Sequence, residues 1–383
     1  VSIILSGGRI ITPDGVIENH ALIIEGGIIA GIIPQDQVVR HKGDHHLNTA
    51  GKWIAPGLID IHVHGSDLSD AMDATPESVQ KLARFFASRG VSSFLLTTGT
   101  ASKKDLDAVI ENYTSLAAFD DGACPLGIHL EGPYLSEARK GAQPAGLLRD
   151  PDPSEYRPWF NSGAVRLMTI APELPGAMEL IDYGFKKGIQ FAVGHSVASF
   201  EIMEEAIERG LRQATHTFNG MDPLHHREPG VVGAVLSDER VFTQVIPDGI
   251  HVHPAVVKLL AAAKGADRTV LITDAIRAAG MGDGEYDLLG QTVTVKANTA
   301  RVASGSLAGS VLTMDQAVRN VMEFCGLGFP EAVKMASSTP AHSLNLEDRG
   351  WIKSGMRADI TVFNLDYRVE KTLVGGKILY TRD

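Results

Sequence analysis

Six side chains suited to metal binding or proton transfer are scattered from position 62 to position 274: His62, His64, Glu131, His195, His216 and Asp274. Imidazole nitrogens and carboxylate oxygens are ligands that zinc, iron, manganese and cobalt all accept. His62 and His64 form a His-x-His pair; on a strand, residues i and i+2 face the same side. Their Cα atoms would then lie ~6.6 Å apart, near enough for two imidazoles to grip one ion. Glu131 would add an anionic oxygen able to bridge two metals, and His195 and His216 two more nitrogens. A divalent ion pulls the pKa of water from ~15.7 toward ~7. A nearby carboxylate can take a proton from that water and hand it to a leaving amine. Asp274 is the candidate for this shuttle; a plain metal ligand is the other role open to it, and the two are compatible. Singly, each residue has an ordinary explanation: a strand-end acid is more often a helix cap, and an isolated His-x-His carries little. Convergence in space is what would make them a site.

That convergence requires elements whose ends meet. Eight apolar, strand-like runs follow one another: Leu58–Val63, Val91–Thr97, Leu126–Leu130, Val165–Ile170, Gln190–Val193, Gln213–Thr217, Val241–Ile246 and Thr269–Thr273. Helical patterns separate most of them. Thr75 with Pro76 opens one helix and Gly90 closes it; Ser199 opens a run ending at Gly210, and Pro254 one ending near Gly265. This alternation predicts a (β/α)8 TIM-type barrel rather than an open doubly wound sheet. In such a barrel the C-terminal strand ends share one mouth, and all six residues fall at such ends. Short β-type runs with Asp14-Gly15 and Gly26-Gly27 turns fill the N-terminal segment, and similar runs fill the last thirty-odd residues. The expected organisation is a small β-sandwich domain from residues 1–55 and 351–383 around a barrel of 56–350. A β insertion is expected near 284–303, then a helix opened by a Thr313–Gln316 capping box.

The net charge of −11 over 383 residues argues against nucleic acid as a partner, so any anionic ligand needs a local cluster of donors. No run is long enough to span a bilayer, and the apolar N-terminus lacks a basic leader region. Cys124 and Cys325 have no metal or redox spacing, which fits a reduced, cytoplasmic setting. His129 shares a face with Glu131 one layer deeper, a supporting position rather than a ligand position. His45, His46 and His342 carry no motif, and His225 and His226 are ambiguous.

The stretch from Pro56 to Gly65, containing His62-Val63-His64, resembles the first-strand signature of the amidohydrolase superfamily. His129-Leu130-Glu131-Gly132-Pro133, Gly194-His195-Ser196, Thr215-His216-Thr217-Phe218-Asn219 and Thr273-Asp274-Ala275 narrow it to the N-acetylglucosamine-6-phosphate deacetylase family. The resemblance implies a barrel with a sandwich built from both ends, a homodimer, and a divalent metal bound by Glu131, His195 and His216. With His62 and His64 both present, a second ion is plausible. The fourth strand ends Thr169-Ile170-Ala171-Pro172-Glu173, without the lysine that bridges two metals in many amidohydrolases, which weighs against dihydroorotase or hydantoinase chemistry. The implied ligand is a small phosphorylated amino sugar. Ala142 and Gln143 correspond to positions near the acetyl group, Gln143 standing where some relatives have histidine. Asn219, Gly220 and Arg227 are the expected phosphate donors, Arg227 for its planar fork. His251 resembles the family's phosphate histidine, expected to reach over from a neighbouring subunit, and Leu307, Ala308 and Gly309 resemble the loop closing over the sugar. The galactosamine epimer, deamination and cyclic-amide hydrolysis stay open as alternatives, as does a non-catalytic barrel.

Overall fold

The computed structural model describes residues 2–39, 41–116 and 119–382. Eight strands pair in parallel in strict chain order: Leu58–Val63, Val91–Thr98, Cys124–Glu131, Val165–Ile170, Gln190–Val193, Leu211–Ala214, Phe242–Val245 and Thr269–Leu271. Helices cross between them, and their caps follow the sequence: Thr75 accepts from the Ser78 N–H with Pro76 in the first turn, and Ser199 accepts from the Ile202 N–H. The first and eighth strands form no ladder. The circle is closed instead by single bonds, Asp274 N–H to the His62 carbonyl at 2.9 Å and Thr273 Oγ1 to Asp60 Oδ2 at 2.6 Å. This nearly closed barrel settles the choice against an open sheet.

Three strands are shorter than expected. The sixth ends at Ala214, not Thr217, the eighth at Leu271, not Thr273, and the seventh spans Phe242–Val245, one residue less at each end. His216, Phe218 and Asp274 each adopt positive φ, which breaks extended pairing at those points. The helix Met314–Cys325 starts after Thr313 as expected, but no capping box forms. Gln316 instead donates to Asn320 Oδ1 at 2.6 Å and accepts from Arg319 at 2.8 Å, partners on its own helix face that outcompete the reach back to Thr313.

Two further sheets carry the chain ends. One orders Ile28–Pro34, His20–Glu25, Ile3–Ser6 and His45–Asn48. In the other, Trp53–Pro56 lies between Arg9–Thr12 and the C-terminal strand Ile360–Phe363, so both ends of the chain share one sheet. Leu5, Leu22 and Ile24 from the first sheet pack with Ile54, Ile360 and Leu373 from the second in one apolar core. The insertion is a three-stranded meander, Gly284–Leu288, Gln291–Lys296 and Thr299–Val302, with a core of its own around Val293 and Ala308. Gln291 Nε2 donates to the Ala142 carbonyl at 2.7 Å, tying the meander to the loop that follows the third strand. No helix among the described residues is long and apolar enough to cross a membrane.

Candidate metal centre

The first strand alternates Asp60, His62 and His64 toward the barrel interior, and all three are buried. Glu131 ends the third strand, buried beneath the mouth. His195, His216 and Asp274 lie just past the fifth, sixth and eighth strands, each with positive φ (49°, 27° and 50°). A non-glycine residue in that region costs of order 1 kcal/mol or more, and three at one mouth mark a functional turn geometry. At each of these positions the chain folds over the strand end and aims a side chain at a common point.

Glu131 Oε1 lies 3.0 Å from His216 Nε2 and 3.3 Å from His195 Nε2, while Oε2 lies 3.3 Å from His64 Nε2. Asp274 Oδ1 lies 3.1 Å from His64 Nε2 and 3.4 Å from His62 Nε2. Two sets have the spacing of a metal site, His62–His64–Glu131 and Glu131–His195–His216, so Glu131 belongs to both.

The donor chemistry fits a cation. The Nδ1 atoms of His195 and His216 face the carbonyls of Arg139 (2.7 Å) and Asn219 (3.1 Å), which only an N–H can satisfy. The proton is thereby held on Nδ1, and both Nε2 lone pairs turn inward, 3.1 Å from each other and beside a carboxylate. Such a cluster of acceptors needs positive charge among them. His62 Nε2 is buried with no hydrogen-bond partner among the described residues, an orphan position that a ligated ion would satisfy. Burial alone would raise the carboxyls of Glu131 and Asp274. The imidazoles crowded around them, His62 foremost, oppose it and hold both well below the usual carboxylate range.

The cluster floors a cavity of about 200 Å³ lined by Ala142, Gln143, Asn219, Gly220, His251, Leu307 and Gly309, with Leu288, Leu289 and Ser306 of the meander side overhead. Four of the expected residues are placed as follows. His251 lines the cavity of its own chain, its Nδ1 2.6 Å from Asp248 Oδ2. Arg227 does not line that cavity; it is exposed on the loop after Met221 and donates to His226 Nε2 at 2.7 Å. Ala308 turns into the meander's core, its neighbours Leu307 and Gly309 taking the cavity side. Gln143 lines the cavity with its amide engaged twice: Oε1 accepts from the Thr100 N–H at 2.8 Å, and Nε2 donates to Glu131 Oε2 at 2.9 Å.

Of the residues that brace the site, sequence reasoning found His129 but gave no role to Asp60 or Glu173. Asp60 accepts from Thr273 and so fastens the strand bearing His62 to the turn bearing Asp274; its place two residues before His62 was the available signal. Burial pushes the Asp60 carboxyl up to about 7, against the hydrogen bonds from Thr273 and His62. Glu173 accepts from Ser196 Oγ (2.6 Å) and Val197 N–H (2.7 Å), bracing the turn after His195 instead of holding metal. His129 donates or accepts with Thr169 Oγ1 at 2.7 Å beneath the cluster, as its deeper layer implied.

Gly220 is a position where the backbone must come close. Its φ is +64°, and a Cβ there would meet His195 Nδ1 at 2.9 Å. Gly220→Ala is therefore expected to strain the backbone and push His195 off the Arg139 carbonyl. Bound metal should fall on the order of 10- to 100-fold in affinity, as when a supporting hydrogen bond is removed. Competition against a graded chelator measures it; unchanged affinity would show that His195 has slack.

Residues 53–379 match the amidohydrolase family, and the chain belongs to it. Within that family it is 38% identical to an N-acetylglucosamine-6-phosphate deacetylase of Lysinibacillus sphaericus, over 99% of this chain and 98% of that one. It is 37% identical to an N-acetylgalactosamine-6-phosphate deacetylase of Escherichia coli, over 98% of each. A crystallised mutant N-acetyl-D-glucosamine-6-phosphate deacetylase of Mycobacterium smegmatis, in complex with N-acetyl-D-glucosamine-6-phosphate, superposes with a TM-score of 0.91 at 32% identity, covering 99% of this chain and all of that one.

Proposed function

We propose that this chain hydrolyses the acetamide of N-acetylglucosamine 6-phosphate, giving glucosamine 6-phosphate and acetate in amino-sugar catabolism or recycling. The observation that carries the reading is the meeting of Glu131, four histidines and Asp274 under one small cavity, in a chain similar end to end to deacetylases of this kind.

Glu131, His195 and His216 would hold one divalent ion, with His62 and His64 available for a second that shares Glu131; zinc, iron, manganese and cobalt all suit this ligand set. When bound, such an ion supplies Lewis acidity toward the acetyl carbonyl and toward water. The chain's own residues do the rest. Asp274, held ionised, accepts a proton from the attacking water on its carboxylate and returns it to the sugar nitrogen as the C–N bond breaks. Gln143 spends one N–H on Glu131, and its second N–H is left to face the acetyl oxygen. Leu307 and Gly309, with Leu288 and Leu289, cover the sugar and exclude bulk water. Asn219, the Gly220 N–H and His251 lie where the phosphorylated end of the sugar would rest.

A homodimer is part of this reading. Arg227, exposed outside its own cavity, is available to a phosphate held by a neighbouring subunit, while His251 lines the cavity of its own chain. Arg227→Ala should raise KM for the phosphorylated sugar on the order of 10- to 100-fold, the worth of a hydrogen bond to a charged group, and leave KM for the plain acetylated sugar unchanged. An equal effect on both would overturn the phosphate role. Sedimentation of the purified chain tests the dimer. A phosphorylated sugar does not cross membranes freely, and both cysteines are free thiols, which supports a cytoplasmic setting.

The galactosamine epimer is the second reading, favoured by the 37% identity to an enzyme named for it. Acetate release from the two 6-phosphates under identical conditions decides: a higher kcat/KM for N-acetylgalactosamine 6-phosphate would displace the first reading.

A further inference from the structure

The interior of a (β/α)8 barrel is normally filled by branched apolar side chains. Here two glutamines, Gln213 of the sixth strand and Gln244 of the seventh, lie fully buried inside it. Neither lines the cavity. A buried primary amide costs several kcal/mol unless its donors and acceptor are matched, so the pair needs an explanation.

Their hydrogen bonds form a directed chain. Gln213 Nε2 donates to the Ser343 carbonyl at 2.9 Å. Gln244 Nε2 donates to Gln213 Oε1 at 3.0 Å, and Gln244 Oε1 faces His62 Nδ1 at 3.4 Å. The far end admits one orientation only. Ser343 closes a short helix, Ser338–Ser343, and its carbonyl is one of the last-turn acceptors that no helical N–H satisfies. A carbonyl can only accept, so Gln213 must present its NH2 there and its oxygen to Gln244. Gln244 must then present its NH2 to Gln213 and its oxygen to His62. Reversing either amide sets oxygen against oxygen in a dry interior, which loses hydrogen bonds and leaves acceptors unpaired. Facing that oxygen, His62 Nδ1 has to carry a proton.

We propose that Gln213 and Gln244 are positioning residues: an amide chain anchored on the Ser343 carbonyl keeps the His62 proton on Nδ1 and its Nε2 lone pair directed at the centre. The orphaned Nε2, between Glu131 Oε1 and Asp274 Oδ1, is the atom so prepared. His195 and His216 obtain the same result from backbone carbonyls beside them. His62, deep in the barrel with no free carbonyl at its Nδ1, obtains it through two side chains from a carbonyl at the opposite end of the interior. The inference rests on the metal reading of the site, and its function is to make the His62–His64 side a ligand pair instead of a pair of hydrogen-bond donors.

The test is Gln213→Leu in the full chain, a substitution that touches neither His62 nor the cavity, with Gln213→Leu/Gln244→Leu as the variant that removes the whole chain without stranding one amide. Zinc content is read after dialysis against graded chelator, with His62→Ala marking which binding phase depends on that side. The phase lost in His62→Ala should weaken on the order of 10- to 100-fold in both glutamine variants, while the other phase is unchanged. In parallel, 15N imidazole spectra of the chelated chain should show His62 as the Nδ1–H form in the parent and as a mixture in the variants. A lowered melting temperature with the phase and the His62 spectrum unchanged would show the glutamines to be structural only and overturn the proposal. The spectrum needs no metal, so a chain that binds no zinc would defeat the reading of the site without deciding the fate of the amide chain, which the His62 spectrum then decides by itself.

Discussion

Asp274→Asn is expected to retain fold and metal and to lose turnover by about 10²- to 10⁴-fold, the usual contribution of a positioned proton carrier. The substitution preserves shape and keeps a carbonyl oxygen beside His62 and His64, but it cannot take up a proton near neutral pH. The Asp274 N–H and carbonyl bonds, to the His62 carbonyl and from the Ser310 N–H, belong to the backbone and survive the change. The loss should therefore fall on kcat, with KM changed little, and metal content should stay at the parent's level. If a metal deficit accompanies the loss, Asp274 is a ligand before it is a shuttle. Activity within a few-fold of the parent would remove it from the proton transfer altogether.

Glu131→Gln should have the larger effect on the protein itself. Glu131 is a buried anion among His62, His64, His195 and His216, and the shared member of both candidate ligand sets. Replacing it with a neutral amide removes the charge that a divalent ion requires. Its NH2 either opposes the Gln143 Nε2 donor or donates to the inward lone pairs of His195 and His216, capping the atoms a metal would need. Metal per chain should fall close to zero after dialysis, with activity lost in proportion. Breaking one side of a buried charged cluster typically costs about 3–5 kcal/mol, which a urea titration of the variant would read as a lower midpoint at unchanged slope. Full metal occupancy in this variant would move the centre of the site elsewhere and end the ligand assignment.

Much of the frame was legible because it is written in local pattern. The strands Leu58–Val63, Val165–Ile170 and Gln190–Val193 begin and end with the β-forming runs read from the sequence. Thr75-Pro76, Ser199 and Pro254 announce helix starts through capping and the fixed φ of proline, and those helices form. The eight-fold repetition of strand and helix then permits few topologies, and in a barrel it places every strand end at one mouth. Six scattered residues could be expected to gather for that reason, before any contact was seen.

Where the expectation fell short, the missing information was long-range. The shortened sixth and eighth strands follow from positive φ at His216 and Asp274, which the tertiary setting imposes and no propensity scale favours. Thr313 and Gln316 have the capping-box spacing, yet Gln316 turns to Asn320 and Arg319. Arg227 was read from its type and His251 from a resemblance, and neither shows which side of a loop faces the cavity. Gln143 was placed near the acetyl group, but its grip on Glu131 depends on the Thr100 N–H, from another loop.

By itself the amino-acid order determined the succession of elements, their approximate limits and the inventory of ligand-type residues, since periodicity, caps and turns act over a few neighbouring residues. Tertiary structure alone decided which nitrogen of each histidine faces inward, that Asp60 and Thr273 close the barrel, and that the Ser343 carbonyl communicates with His62 through two glutamines. The physical reason is range: a hydrogen bond is settled within about 3 Å, and which groups come that close across two hundred residues of chain is known only once the whole barrel has packed.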